Sequence, residues 1–342
     1  MPDAAEVFAV LKLLMELLMF YVLILAYYFN KKLDQTALIH YNLKLILRNI
    51  GIIFPIINIS RFFSYGWAYV MQAGLISPVQ ANVVCLVSRF IEDVGLGCCA
   101  TLIIQITLER TAATLMRKTY EKKGAHIGWL ITGQTFFMAI CFTISNIVYD
   151  VIVSGKMKLE KRYVGCRLDQ FHLFMYLMVF VSAFLCSVIA ASALFYIYRY
   201  CLKKLSQMTE MKLSTRYQYS ENIACIKALL PPMMFYVITA SSGVYVTIFV
   251  YTNFWEDEQI EENRDLIDAH LMVLHIIGQL YAIGAMTCFL MSFKPLRQNV
   301  AQDFQCCFRK KSVEPDDTKE KADVVKREEN VDYFKMMNKT WQ

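Results

Sequence analysis

Several ionisable residues stand inside or at the edge of long apolar runs. Glu109 and Arg110 are adjacent where one run ends, and Arg117, Lys118, Lys122 and Lys123 follow with only Glu121 against them. Earlier in the same run come Arg89, Glu92 and Asp93, the base three and four residues from the two acids and on one helical face. The chemistry open to such groups is pairing, release and hydrogen bonding. Charges in an apolar surround are costly and tend to mark sites, so this trio is either a self-satisfied ion pair or a place where one acid meets a ligand. His172, His270, His275 and Gln279 are candidates to line the same pocket. Catalysis is not expected. There is no HExxH, GxSxG, P-loop or paired CxxC, and His270 and His275, five apart, miss a common helical face. Neither a metal nor a cofactor is implied.

The elements that must position these residues are set by hydropathy. Of 342 residues, 57% are hydrophobic and 19% charged, where a soluble chain has about a quarter charged. The apolar residues come in blocks exceeding the ~18–20 residues that cross a bilayer core. Seven are visible, at about 6–29, 37–58, 82–108, 127–149, 171–198, 223–252 and 269–293. A backbone in lipid must satisfy its own hydrogen bonds, so each should be a helix. The expected fold is an all-α seven-transmembrane helix bundle, 1–293. The first block has an acidic lead, Asp3 and Glu6, and is too long for a signal peptide; it is expected to remain as a helix. A short amphipathic helix should follow over 294–311, where Leu296, Val300, Phe304 and Phe308 recur every four residues. Cys306 and Cys307 at its end are candidates for palmitoylation. Residues 312–342 mix acids and bases with few apolar groups and should be a disordered tail.

Basic residues collect on the cytoplasmic side of membrane proteins. Loops one, three and five hold twelve Lys and Arg, against seven in loops two, four and six, where Arg61 is assigned to loop two. Loop six has seven acids and one base. The N-terminus is therefore expected to be extracellular and the C-terminus cytoplasmic. The +6 net charge is then a feature of the inner face and no sign of nucleic-acid binding. Under this topology only Cys85 and Cys166 of eleven cysteines lie near the outer face, as a single loop-to-helix disulfide requires. Cys85 and Arg110 are 25 residues apart, about 37 Å along a helix, one membrane thickness with headgroups. Asn58-Ile59-Ser60 is a glycosylation sequon too close to the membrane for use to be expected.

Glu109-Arg110-x-x-Ala113-Thr114 with Tyr120-Glu121 resembles the motif that follows the third span of nematode serpentine chemoreceptors. The likeness extends to His40-x-Asn42-Leu43, to Leu213-Ser214-x-Arg216-Tyr217-Gln218-x-x-Glu221-Asn222, and to Tyr333-Phe334 with Trp341. These are signatures of the Sra superfamily (Sra, Srab, Srb, Sre), and the tail suggests Sre. The resemblance implies a G-protein-coupled chemosensory receptor in the plasma membrane of sensory neurons. Its partners would be an extracellular small molecule, a heterotrimeric G protein and the lipid bilayer. It departs from the rhodopsin-like class. Span seven has no NPxxY and no Lys for a retinal Schiff base, and span two has no Asp for a sodium pocket.

Arg110 ends span three and Glu221 begins span six at the same level, so the two are expected to pair at rest, with Glu109 as the competing partner. Glu109, Arg110, Arg216, Glu221 and Asn222 form the expected coupling face. Pro231-Pro232 should give span six a hinge. The rival reading is a seven-helix ligand-gated ion channel or transporter.

Overall fold

In the computed structural model the described residues are 4–36, 39–74, 76–116, 120, 124–153, 159–160, 173–207, 213–253 and 264–308. They form nine α-helices and one π-helical turn: α1 (Ala4–Gln35), α2 (Tyr41–Gln72), α3 (Pro78–Ala100), α4 (Leu102–Leu115), α5 (His126–Val148, continued by the π turn Tyr149–Val153), α6 (Leu173–Gln207), α7 (Leu213–Asn253), α8 (Arg264–Ser292) and α9 (Lys294–Phe308). Two compact units are present, 1–299 and 300–342. The first is the helix bundle; of the second, the described residues 300–308 are helical.

Every expected span is helical. Six of these helices are long and apolar enough to cross a membrane. The third span is the exception, because it is divided at Thr101 and carries Arg89, Glu92 and Asp93. Its start is dictated locally. Ser77 accepts from the Gln80 backbone while the Gln80 side chain reaches back, with Pro78 as the first helical residue. At the break, Thr101 Oγ1 donates to the carbonyls of Gly97 and Cys98 at 3.2 and 3.1 Å. Tyr236 of α7 donates to the Ala100 carbonyl at 2.6 Å. Side chains thus satisfy carbonyls at the end of α3, which lets the span divide without orphaned backbone groups in its interior.

The second span ends later than the sequence expectation. The second span runs on to Gln72, so Arg61 belongs to helix α2 and is buried, where it was expected in a loop. No proline interrupts Ile59–Val70 and Gly66 is carried within the helix, and polar residues there bond to α3. Helix α7 continues unbroken through Pro231 and Pro232.

Packing closes the bundle into a ring: α1 against α2 and α8, α2 against α3, α4 against α6, α6 against α7 and α7 against α8. The span formed by α3 and α4 is central, since α4 also meets α2, α5 and α7. Small apolar clusters seal the seams, among them Ile53, Ile57, Cys98 and Ala139 between α2, α3 and α5, and Met15, Met19 and Ile276 between α1 and α8. Only 12% of the apolar window of α5 is buried in the protein, against 56% for α2. Helix α5 therefore turns most of its hydrophobic surface to lipid, and α2 is an interior element.

Candidate functional site

Two polar clusters occupy opposite ends of the central span. Glu92 and Arg110 are 18 residues apart, about 27 Å along a helix.

At the Arg110 end, Glu109 is 0% exposed and Arg110 is 1% exposed. They are paired directly: Arg110 Nη2 donates to Glu109 Oε1 at 2.6 Å, and Nε donates to Oε2. The third bond crosses to α7, where Arg110 Nη1 donates to Asn222 Oδ1 at 2.9 Å. Asn222 Nδ2 donates to Thr114 Oγ1 at 3.1 Å, and Thr114 Oγ1 donates to the Arg110 carbonyl at 2.8 Å. An amide suits this place because it must accept from a guanidinium and donate to a hydroxyl, and a carboxylate only accepts. From α7, Asn222 meets Arg110, and the expected Glu221 is the residue before it. Arg216 is exposed in the first turn of α7.

Tyr120 completes the cluster by donating its hydroxyl to Glu109 Oε1. Burial pushes this hydroxyl's pKa well up, and the Glu109 carboxylate pushes it further, so the group stays a donor. Its ring lies 4.3 Å from that of His40. Burial holds His40 below its ordinary value, with Glu109 raising it and Arg110 lowering it. His40 Nδ1 accepts from the Asn42 backbone at 3.3 Å, which requires the neutral ring. Asn42 Oδ1 in turn accepts from the Gly128 backbone of α5 at 3.0 Å. A Cβ at Gly128 would lie 3.0 Å from the Asn42 backbone, so a glycine is what lets α2 and α5 approach. The motif residues His40, Asn42, Glu109, Arg110, Thr114, Tyr120 and Asn222 are therefore one connected assembly.

At the other end, the expected trio divides. Arg89 pairs with Asp93 at 3.8 Å, one turn on. Glu92 pairs across the helix seam, accepting from Arg61 of α2 through Nε at 3.0 Å and through Nη2. Beside this pair Ser60 donates to the Ser88 carbonyl at 2.7 Å, Ser88 donates to the Ser60 carbonyl at 3.0 Å, and the hydroxyls of Ser64 and Ser88 are 2.5 Å apart. Helix α8 contributes His275, which lies within electrostatic reach of Arg61, Glu92 and Arg89. Its Nδ1 is buried without a hydrogen-bond partner among the described residues.

The other candidates lie elsewhere. Gln279 exchanges two hydrogen bonds with Asn58, at 3.0 and 2.7 Å. That buries Asn58 to 1% exposure and withholds the sequon from glycosylation. His270 stacks on Phe249 at 4.4 Å, its Nδ1 2.8 Å from the Leu266 carbonyl. His172 lies outside the described residues. Cys85 is disulfide-bonded, and Cys166 lies outside the described residues. Nearby, Asn82 donates to the Leu159 carbonyl at 2.8 Å, which ties Leu159 to the start of α3. Cys306 and Cys307 fall in the last turn of α9, their side chains outside the described set; residues 309–342, with Tyr333, Phe334 and Trp341, are also outside it.

Sequence reasoning missed Arg61 as a site residue because the second span was ended at 58, three residues before it, whereas α2 runs to Gln72. Continuous apolar and aromatic content through Trp67 was the available signal. It also missed Tyr236, for which the sequence carries no mark.

An almost wholly helical chain with apolar spans and polar clusters at both ends of a central span is a multi-pass membrane protein of the serpentine receptor type. The family model "Serpentine type 7TM GPCR receptor class ab chemoreceptor" matches residues 5–342, and the chain belongs to that family. Within the superfamily this is class ab, where the tail residues suggested Sre. The chain is similar to "Serpentine receptor class alpha/beta-14" of Caenorhabditis elegans, 29% identical over 173 residues. That stretch takes in 47% of this chain and 41% of the relative.

Proposed function

We propose that this chemoreceptor binds a small molecule in the half of the bundle bearing Arg61, Glu92 and His275, and activates a heterotrimeric G protein at the Arg110 end. In this reading the N-terminus is extracellular, the C-terminus and the Arg110 face are cytoplasmic, and the receptor works in the plasma membrane of sensory neurons. The observation that carries it is the Arg110–Asn222 hydrogen bond between the central span and α7. It is a cross-helix contact to a fully buried charge, in the last two turns of α4. Breaking it costs on the order of 1.5–3 kcal/mol, a gap that modest differential ligand affinity can overturn. Separation of α4 from α7 would open this face for a partner to enter. The basic residues Arg117, Lys118, Lys122 and Lys123 lie outside the described residues; in this reading their role is attraction to anionic lipid.

The test is to express the full chain in cells carrying a G-protein reporter and to screen volatile and water-soluble small molecules. A response is expected that disappears in a Glu109→Gln/Arg110→Gln double variant, which keeps the pair hydrogen-bonding and removes both charges together. A ligand-evoked current that persists with G proteins blocked would sink the proposal and favour a gated channel.

A further inference from the structure

We infer that the cluster of Arg61, Glu92, Arg89 and His275 is a recognition site for an anionic head group, a carboxylate or phosphate on a small organic molecule. The inference rests on the proposed receptor reading and adds to it the chemical class of the ligand.

Three observations carry it. First, Arg61 spends its Nε and Nη2 donors on a single oxygen, Glu92 Oε1. Nη1 takes no part in this pair, so the guanidinium keeps donor capacity for a second acceptor. Arginine's planar fork matches the geometry of carboxylate and phosphate oxygens. Second, His275 places an imidazole nitrogen in the same cluster, buried and without a partner among the described residues. Buried polar atoms are almost always satisfied, and an exception inside a cluster of charges asks for a bonding group. Third, the charges that bear on His275 are two guanidiniums, Arg61 and Arg89, and one carboxylate, Glu92. Arg89 is held by Asp93, so the guanidinium with donor capacity beside the open nitrogen is Arg61, which an anionic acceptor fits and an amine does not.

Arg61 would share itself between Glu92 and the ligand, while His275 in its Nδ1–H form would donate to a second ligand oxygen. Asp93 holds Arg89 and keeps that base from folding onto Glu92. The pair Arg61–Glu92 spans α2 and α3 and His275 stands on α8, so an anion bound among them would link three helices.

The same head-group chemistry could come from a soluble organic acid or from an anionic phospholipid. The experiment separates them. Full-length receptor would be placed in nanodiscs of phosphatidylcholine alone or with phosphatidic acid. Thermal unfolding would be followed with a matched panel of short- and medium-chain aliphatic acids, their methyl esters and their primary amines. The expected result is an upward shift with acids and none with esters or amines. In an Arg61→Gln/Glu92→Gln variant, chosen because it leaves no unpaired buried charge, acid affinity should drop at least about tenfold, the worth of one charge-assisted hydrogen bond. His275→Phe should weaken acids too. Stabilisation by phosphatidic acid alone, lost in the double variant, would support the anion site and name the lipid as its source. Stabilisation by amines, or by no anion at millimolar concentration, would overturn the inference. Acid binding without any reporter signal would leave the anion site standing and count against G-protein coupling.

Discussion

Arg110 Nη1 donates to Asn222 Oδ1 at 2.9 Å, and that one bond joins the end of the central span to the cytosol-proximal segment proposed for α7. Both ends of the amide are used, the oxygen accepting from Arg110 and the nitrogen donating to Thr114. Asn222→Ala should therefore raise ligand-free reporter activity by about tenfold, corresponding to the loss of a buried hydrogen bond to a charge. Glu221→Gln should change it less. The opposite ranking would return Glu221 to the role the sequence suggested.

Removing Arg110 alone should damage folding as well as signalling. Glu109 is wholly buried, and truncating one partner of a buried ion pair costs about 3–5 kcal/mol. Surface expression of Arg110→Ala is expected to fall well below that of Glu109→Gln/Arg110→Gln. Tyr120→Phe, which deletes only the donor to Glu109, should cost about 1–3 kcal/mol in thermal unfolding. Equal expression of all three variants would show that the cluster is not a structural unit.

Cys85 is expected to be bonded to Cys166. Non-reducing peptide mapping should recover that linked pair, and Cys85→Ser should cost about 2–5 kcal/mol of stability. Recovery of Cys85 joined to any other cysteine contradicts the pairing, and with it the closing of the 150–170 loop over α3.

The orientation is testable on intact cells. Loops one, three and five as read from the sequence hold twelve basic residues against seven in loops two, four and six, which favours an extracellular N-terminus. An N-terminal epitope should stain without permeabilisation. Staining only after permeabilisation inverts the receptor and favours a channel.

His40 makes stability depend on pH. Its folded value is held below the ordinary 6.5, so the unfolded chain takes up a proton before the folded one. Stability is full above the ordinary value and falls as pH drops through it toward the folded value. The melting temperature of purified receptor should decline between neutral pH and about pH 5, and His40→Phe should flatten that dependence. A profile unchanged by the substitution would mean that His40 contributes nothing to it.

How far the sequence reached differs from one residue to the next. Hydropathy alone determined seven helical spans, because lipid leaves a backbone no other way to satisfy its hydrogen bonds. It also marked Glu109 and Arg110, since charged groups at a span end stand out against apolar neighbours, while Asn222 entered with the motif resemblance. Partners are another matter. Which acid Arg89 holds, and that Glu92 turns to Arg61, depend on the rotation of α3 against α2, and Arg89 could reach either acid by spacing alone. That Asn222 reaches Arg110 likewise depends on the rotation of α7 about its axis, about 100° per residue, set by packing against α4 and α6. The break at Thr101 depends on Tyr236, more than a hundred residues away, supplying a hydroxyl to a carbonyl. Composition set what had to be buried in lipid, and only the packed bundle decided which polar groups would satisfy one another.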